Sequence, residues 1–471
     1  MSDFLFNEFD EVSAKQWKQK IQVDLQGADY NETLVWQSPE GLDVKPFYHR
    51  DNFDASFPPI PGQPDDWRIA QSIFIDDEVI ANKLALDAIE RGAEALYFTS
   101  ASEFKMERLF QEFPFEKASI HFNFQFLNED YIRKLIRFLS DGTDGNTGTN
   151  ASVYYNIDIL GNFARGGNWF YNFKKDHEIL ESIVLAYPSE AIVSTDITLY
   201  QNAGANIVQQ LAYALAHTNE YLNHFCSDKF SKSRNGNHEN FKVNFKIAIG
   251  SNYFFEIAKI RALRKLYATL ASEYGVVESC HIHATPSKRN KTLYDYNVNM
   301  LRTTTECMSV ILGGANTISN FPYDGLYHKS NEFGERISRN QLLILKSESY
   351  FDKVANPSDG SYYIESLTQD LAEKALALFV DIEKNGGFLK QLKNGTIQKK
   401  IIESAEKEQQ LFDTGELVLV GTNKYQNNTD RRKDDLELYP FVKRNPRQTA
   451  IQPIIEKRLS EKLEQERLSH E

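Results

Sequence analysis

The sequence predicts an α/β protein built as a (β/α)8 TIM barrel. From about residue 95 onward, short runs rich in β-branched and aromatic residues alternate with longer helical patterns, which is typical of parallel sheets. Close to eight such runs fit a closed barrel better than an open sheet, and most are apolar at nearly every position. A doubly wound open sheet remains the alternative, because periodicity alone does not show closure.

The predicted strands are spread along the chain between two polar loops and several helical stretches. In chain order they cover residues 95–99, 120–126, 153–159, 192–198, 243–249, 279–284, 316–320 and a short run near 353–355. The loops, at residues 141–150 and 227–240, are rich in Gly, Asn, Asp and Ser, so we expect solvated surface connections there.

A helix that ends at paired glycines is predicted immediately before the strand at 316–320. Asp295 or Asn297 is its expected N-cap. Steps of three and four residues predict one buried stripe made of Val298, Leu301, Thr305, Met308 and Leu312. One of Gly313 and Gly314 is expected to take the left-handed conformation that ends the helix, and the other to allow the turn into the strand.

Composition excludes several classes of protein. A formal net charge of −13 repels phosphate backbones and no basic stripe reverses it, so nucleic-acid binding is not expected. The N-terminus lacks the basic start and apolar block of a signal peptide, and no stretch approaches eighteen apolar residues, so a cytoplasmic location is expected. Three scattered cysteines support neither a disulfide framework nor a cysteine-based zinc site.

Three regions are expected. Residues 1–90 form an N-terminal extension rich in aromatic residues, which we expect to pack on the barrel or on a partner chain. Residues 91–410 form the barrel, and residues 411–471 form a linker and a C-terminal tail. Within this last region, 421–440 has the composition of a linker, and 454–471 that of a charged terminal helix or frayed tail.

Blocks of sequence in a fixed order resemble the methylmalonyl-CoA mutase family. They include SPEGLDVKPFY at residues 38–48, IAIGSNYFFEIAKIRALRKLY at 247–267 and NVNMLRTTTECMSVILGGANTISNFPYD at 297–324, followed by blocks at 335–349 and 356–388. The resemblance extends through about residue 450. It implies a barrel that takes part in the radical interchange of methylmalonyl-CoA and succinyl-CoA with adenosylcobalamin, a cofactor that carries the difficult chemistry itself.

The positions that carry reactive groups in this family are replaced. Catalytic barrels have a tyrosine in an Arg-Gln-Tyr-Ala-Gly-Phe segment after a tryptophan; here Trp67 and Gln71 persist, but Ala70 replaces the arginine and Ser72 the tyrosine. They also place a histidine where it can hydrogen-bond the substrate carbonyl, and Leu199 stands at that position. The Gly and Trp of a third family motif are missing from residues 283–289.

The cobalt-ligating motif of the family, Asp-x-His-x-x-Gly, is also missing, because none of the ten histidines has an aspartate two positions before it. The resemblance therefore implies no cobalamin-binding domain, no catalytic residue and no bound cofactor or metal in this chain. Together these losses resemble the small subunits of heterodimeric mutases, which pair with a catalytic large subunit that binds adenosylcobalamin. Vestigial barrel-mouth residues would be Gln71, Gln201, His283 and Arg302.

The sequence also allows two other functions. The chain could be the catalytic barrel of an acyl-CoA mutase that uses a separate cobalamin-binding subunit, with Tyr200, Gln201 or His283 as replacement donors. A free-standing binding or assembly protein is a third class. His281 and His283 point to one face of a strand and favour a barrel-lining pair over a metal site, because no third ligand is visible.

Two further signals have ordinary structural explanations. Arg261 and Arg264 are expected to pair with Glu256 or neighbouring helices rather than with a CoA phosphate. The glycines of residues 161–167 fit a loop at a strand end better than a phosphate-binding loop.

Overall fold

Eight parallel strands close a barrel in the computed structural model, which describes residues 8–53, 56–141, 152–226, 240–443 and 446–471. The strands are β1 (Arg68–Phe74), β2 (Ala95–Ser100), β3 (Ser119–Phe124), β4 (Val153–Ile157), β5 (Ala191–Asp196), β6 (Val243–Ile249), β7 (His281–Pro286) and β8 (Thr317–Ser319). Because β8 pairs with both β7 and β1, the sheet has no free edge. The predicted (β/α)8 barrel is confirmed, and the open-sheet alternative is excluded.

Two of the strand predictions are corrected. The first barrel strand, β1, was not among the predicted strands, because Arg68, Gln71 and Ser72 interrupt its apolar pattern. The run at 353–355 is not a strand: Lys353 donates its backbone N–H to the carbonyl of Tyr350, which closes a turn. The barrel strands therefore begin at Arg68, ahead of the boundary expected at residue 91.

Helices cover the outside of the barrel, and several of them begin at side-chain caps. The N-terminal extension holds α1 (Ala14–Asp24) and α2 (Tyr30–Leu34). The helices that follow strands β1 to β5 are α3 (Glu78–Glu90), α4 (Met106–Leu109), α5 (Glu129–Asp141), α6 (Ile159–Gly166), α7 (Phe173–Ala186), α8 (Thr198–Ala203) and α9 (Ile207–Phe225). Asp77 accepts hydrogen bonds from two backbone N–H groups at the start of α3. Asn206 and Gln209 exchange hydrogen bonds at the start of α9. Such caps satisfy donors that no helical carbonyl reaches.

The second half of the chain supplies the remaining helices. They are α10 (Tyr253–Tyr274), α11 (Val298–Gly313), α12 (Glu332–Leu343), α13 (Tyr362–Lys384), α14 (Phe388–Lys393), α15 (Thr396–Thr414) and α16 (Glu461–Ser469). In the described residues, no helix is both long enough and apolar enough to cross a membrane.

Helix α11 ends as predicted but buries a different face. Gly314 takes the left-handed conformation, with φ at +87°. Leu301 of the predicted stripe is 68% exposed, whereas the buried residues are Asn299, Thr303, Glu306, Cys307, Ser309, Val310 and Ile311 together with Gly313. The side chain of Asn297 makes no cap hydrogen bond. The buried face is largely polar because its side chains have fixed partners, so a search for apolar periodicity selects the wrong stripe.

Two fully buried arginines of α10 join the barrel to its surroundings. Arg261 pairs with Asp359 and, at 2.5 Å, with Glu365 at the start of α13. Arg264 instead donates to backbone carbonyls, including that of Gly314 at 2.7 Å and 3.0 Å. The predicted pairing of Arg261 with neighbouring helices is confirmed, whereas Glu256 pairs with Lys259.

Aromatic residues of the N-terminal extension pack on this chain's own barrel. Trp36 meets Phe255 of α10 edge to face at 5.8 Å, and Tyr48 lies 5.1 Å from Tyr363 of α13. Helix α1 has no buried residue, and Trp17 is 49% exposed. The extension therefore contacts the barrel through Trp36, which remains 49% exposed, and Tyr48, whereas no residue of α1 is buried.

The C-terminal region lies against the barrel along most of its length. Arg432, in the stretch expected to be a linker, is buried and sits 3.9 Å from the ring centre of Tyr296. Arg458 and Glu464, in the stretch expected to be a charged terminal helix or a frayed tail, form a buried ion pair at 2.6 Å. The charged terminal helix is present as α16, whereas the linker and frayed-tail interpretations are wrong, because paired charges and apolar contacts dock both stretches on the barrel.

Candidate functional site

A polar cavity opens at the end of the barrel where the strands terminate. It has a volume of about 440 Å³ and is lined by residues at or just beyond the C-terminal ends of β3, β4, β5 and β7. Side chains that follow parallel strands converge at this end of a barrel, which is why such mouths carry function. We call this space the mouth cavity. Its charged lining residues are Asp158, Arg165, Asp196, Lys246, Lys288 and Glu456.

Asp158 anchors the mouth through four hydrogen bonds. Its Oδ1 accepts from the backbone N–H of Gly161 at 2.7 Å, from the Tyr221 hydroxyl at 2.7 Å and from Nε2 of His217 at 2.9 Å. Its Oδ2 accepts from the backbone N–H of Asp196 at 2.8 Å. Asp158 therefore caps α6 and ties it to β5 and α9, so its charge is compensated inside the protein.

Arg165 bridges two carboxylates at the rim of the mouth. Its Nη2 lies 3.1 Å from Oδ2 of Asp196, and its Nη1 bonds Glu456 of the C-terminal region. Burial alone would raise the pKa of Asp196, but Lys246 and Arg165 outweigh it and hold that pKa below its ordinary value. The Arg165 guanidinium is therefore already paired with carboxylates of the same chain.

Two lysines enter the same cavity with fewer partners. The ammonium of Lys246 is 3.9 Å from Asp196, at the limit of an ion pair, and lies 4.6 Å from the ring centre of Tyr97. The ammonium of Lys288 makes no hydrogen bond or ion pair with any described residue; it lies 5.7 Å from the ring centre of Phe321. Desolvation by surrounding atoms lowers the pKa of Lys288, although its side chain stays open to solvent.

A layer of five rings closes the barrel beneath the mouth cavity. We call it the ring layer; it consists of Tyr97, His121, Tyr154, His281 and His283. Stacked or tilted pairs hold it together, with ring centres 4.0 Å apart for Tyr154 and His281 and 4.6 Å apart for Tyr97 and His283. Tyr97 lines the mouth cavity, whereas Tyr154 and His281 line a separate cavity at the opposite end. The layer thus separates the two ends of the barrel.

His121 is the most deeply enclosed member of the ring layer. It is 1% exposed, and neither ring nitrogen has a hydrogen-bond partner among the described residues. Burial, helped by Arg68, lowers its pKa to about 3. His281 and His283 also have lowered pKa values, again mainly through burial. The three imidazoles are neutral at pH 7, and within the described ranges no group of three or more His, Cys, Asp or Glu side chains can hold a metal ion.

Comparison with known proteins decides the family. A family model described as methylmalonyl-CoA mutase matches residues 99–469. The chain belongs to the methylmalonyl-CoA mutase family. It is similar to the methylmalonyl-CoA mutase small subunit of Porphyromonas gingivalis, with 33% identity over 466 residues that cover 92% of this chain and 73% of that protein.

Two other members of the mutase family have comparable coverage. The methylmalonyl-CoA mutase of Rhizobium meliloti is 28% identical over 511 residues, covering 97% of this chain and 70% of that protein. The methylmalonyl-CoA mutase small subunit of Streptomyces virginiae is 28% identical over 419 residues, covering 84% of this chain and 67% of that protein.

The two replaced family positions lie in different surroundings. Leu199 is 0% exposed and belongs to the hydrophobic core, so it does not reach the mouth cavity. Its neighbour Thr198 lines that cavity. Ser72 is exposed on β1 and pairs in register with Tyr97 of β2. Neither position presents a ring donor to the mouth.

The four residues predicted as vestiges of the mouth are dispersed, and none of them lines the mouth cavity. Gln71 bonds Glu335 and Arg339 on α12, and Gln201 bonds Gln210 on α9. His283 lies in the ring layer, where its Nε2 meets the hydroxyl of Ser319 at 2.8 Å. Arg302 donates to Thr292, Asn299 and the carbonyl of Val420.

Sequence reasoning missed the charges that do line the mouth. Arg165 falls within residues 161–167, which were expected to form a loop; the structure instead places α6 there and a left-handed Gly167 at its end. Lys246 interrupts the apolar strand β6, and a lone lysine inside such a run was a usable signal. Lys288 and Glu456 gave no local signal, because their meeting depends on the tertiary fold.

Proposed function

We propose that this chain is the small subunit of a heterodimeric, adenosylcobalamin-dependent methylmalonyl-CoA mutase and that it is itself non-catalytic. The proposal rests mainly on Leu199. This hydrocarbon side chain is fully buried at the position where catalytic members of the family have a histidine donor. Leucine cannot donate to a substrate carbonyl or stabilise developing charge. The small-subunit names of two relatives support the same assignment.

Other donors near the replaced positions are occupied, which argues against a catalytic barrel chain. The Tyr200 hydroxyl is buried and lies 3.0 Å from Nδ1 of His217. Gln201 and His283 have the partners described above, and neither they nor Tyr200 line the mouth cavity. A replacement mechanism would need a free donor aimed at bound substrate.

The residues of this chain do not fit cobalt ligation, so we assign adenosylcobalamin to the partner subunit. Three histidines inside the barrel, His121, His281 and His283, are packed in the ring layer. Both ring nitrogens of His217 are engaged, by Asp158 and Tyr200. A cobalt-ligating imidazole must present one nitrogen to the metal and have the other oriented by a partner. The cofactor supplies the radical chemistry when bound to the complex; this chain supplies a folded surface on which the large subunit rests.

The outer face of the N-terminal extension is the surface we assign to the large subunit. Trp17 is 49% exposed, Val23 71% and Phe9 72%, and all three lie in or beside α1, which has no buried residue. Exposed aromatic and aliphatic side chains on one element are typical of interface anchors. Residues 8–53 therefore form a contact arm in this proposal.

Co-expression with a large subunit that retains the family tyrosine, histidine and Asp-x-His-x-x-Gly motif tests the proposal. We expect no mutase turnover and no cobalamin absorbance from this chain alone, and both from the purified complex. Trp17→Ala should weaken the complex by about tenfold or more, since central aromatic anchors contribute about 2 kcal/mol or more. Tyr425→Ala, which removes a 74% exposed ring elsewhere, is the matched control. Turnover by this chain alone would overturn the proposal.

A further inference from the structure

We propose that the mouth cavity binds a small organic or inorganic dianion between the ammonium groups of Lys246 and Lys288. This binding site is distinct from the subunit role proposed above and does not depend on it. The cavity volume of about 440 Å³ falls within the range of small-molecule sites. The ring layer closes its floor, so a bound molecule would have to fit within the mouth.

The carboxylates of the mouth are already engaged. Asp158 receives its four hydrogen bonds from α6, α9 and β5, and none of these donors is a lysine. Asp196 and Glu456 share Arg165, and Asp196 also accepts from the hydroxyl and backbone N–H of Thr198. Arg165 and Thr198 therefore stay in place on these acids when an anion enters, and Lys246, 3.9 Å from Asp196, is shared between Asp196 and the anion.

The two lysines are less tightly paired than Arg165 among the described residues. Lys246 approaches Asp196 only to 3.9 Å, and Lys288 pairs with no carboxylate. Desolvation lowers the pKa of Lys288, and Lys246 and Arg165 lower it further against the attraction of Glu456. The two ammonium groups repel each other in the cavity. An anion bound between them relieves this repulsion, because each ammonium then makes a charge-assisted hydrogen bond to it.

Neutral polar groups complete the lining. Asn202 accepts two hydrogen bonds through its Oδ1, at 2.9 Å and 3.0 Å, and its Nδ2 donates to no group in the described part of the chain. Gln125, Ser194 and Thr285 also line the cavity. Such groups can orient the oxygens of a dicarboxylate or phosphate, while the lysines supply the charge. The ligand class is accordingly a compact dianion.

Calorimetric titration of the full-length chain with malonate, inorganic phosphate and malonamide tests the site. Malonamide has the shape of malonate without its charge, so we expect either dianion to bind and malonamide not to. Lys288→Gln and Lys246→Gln should each weaken dianion binding by about tenfold or more, as expected for loss of one charge-assisted hydrogen bond. Lys288→Arg should retain binding, which separates loss of charge from loss of folding.

Lys400→Gln is the control for nonspecific charge, because Lys400 is a surface lysine paired with Glu403. It should leave the affinity unchanged. The proposal is wrong if malonamide binds as tightly as malonate, if neither dianion binds at about 10 mM, or if both lysine variants titrate like the parent chain. Each readout is equilibrium binding to this chain alone, so its failure is distinguishable from failure of the proposed subunit role.

Discussion

The ammonium of Lys291 lies 2.8 Å from both carboxylate oxygens of Glu306, and the two side chains are almost fully shielded from solvent. Asn290 donates to the same carboxylate at 2.7 Å. Burial raises the pKa of Glu306 and lowers that of Lys291, while their attraction opposes both shifts. The pair fastens the polar face of α11 to the segment after β7, so α11 is held by charge as well as by apolar packing.

Removing one member of this pair should destabilise the chain strongly. Glu306→Gln leaves the Lys291 ammonium buried without a counter-charge, and we expect a loss of about 3–5 kcal/mol in the free energy of unfolding. The double variant Lys291→Met/Glu306→Leu should recover most of that loss, since it buries no unpaired charge. Urea denaturation of the parent, single and double variants measures both values. Equal stability of parent and Glu306→Gln would contradict the assignment.

The ring layer should make stability fall in acid. His121 has a folded pKa of about 3, below the ordinary value of 6.5, so the unfolded chain binds the extra proton. The contribution of neutral His121 to the free energy of unfolding is complete above pH 6.5. It is lost as the pH falls from 6.5 towards 3, at about 1.4 kcal/mol per pH unit. In His121→Phe that contribution is absent, and stability at pH 5 relative to pH 7 should drop less than in the parent. His49→Gln, at a partly exposed position, is the control.

Leu199→His tests whether the family histidine can simply be restored. Leu199 is fully buried in the hydrophobic core, so an imidazole there would be a buried polar group without a designed partner. We expect a loss of about 2–4 kcal/mol of stability and no mutase turnover. Leu199→Met, which preserves volume and apolar character, should cost less than about 1.5 kcal/mol. A stable, active Leu199→His chain would contradict the placement of position 199 in the core and show that its side chain can reach the mouth.

The end of α11 allows backbone strain to be separated from crowding. Gly314 has φ at +87°, and an added Cβ would lie 3.0 Å from Cγ of Gln63; Gly360 has φ at +77° with nothing within 4 Å. Gly360→Ala should therefore cost about 1 kcal/mol through the left-handed backbone alone. Gly314→Ala should cost more than that, because Gln63 must also move. Thermal unfolding of the two variants measures both losses of stability. Equal losses would show that Gln63 moves aside without a measurable cost.

The strand pattern was predictable because most barrel strands bury apolar residues on both faces. Strand β2 is buried at five of its six positions and intermediate at the other, and it was predicted to within one residue. Strand β1 was missed for the opposite reason. Its polar residues have partners far along the chain, such as Gln71 with Arg339 across 268 positions. Local pattern does not reveal partners at that separation.

The same limit explains why the arrangement of the mouth cavity could not be predicted from the sequence. Asp158 could be recognised as a residue at a strand end, but its partners His217 and Tyr221 lie 59 and 63 positions away. The family positions Ser72 and Leu199 were located by resemblance alone, and only the structure shows that Leu199 points into the core. Chemistry at the mouth is set by which strand ends meet, and a linear pattern gives residue types without that juxtaposition.

The C-terminal region has a consequence for how the chain folds during its synthesis. Glu456 reaches Arg165 across 291 positions, and Glu464 accepts from the backbone N–H of Leu293 across 171. Translation delivers the strands first, so Arg165 and the segment after β7 must leave the ribosome without these partners. Contacts of such long sequence separation form late and slowly. The nascent barrel therefore has an unfinished mouth until residues 456–464 have emerged from the ribosome.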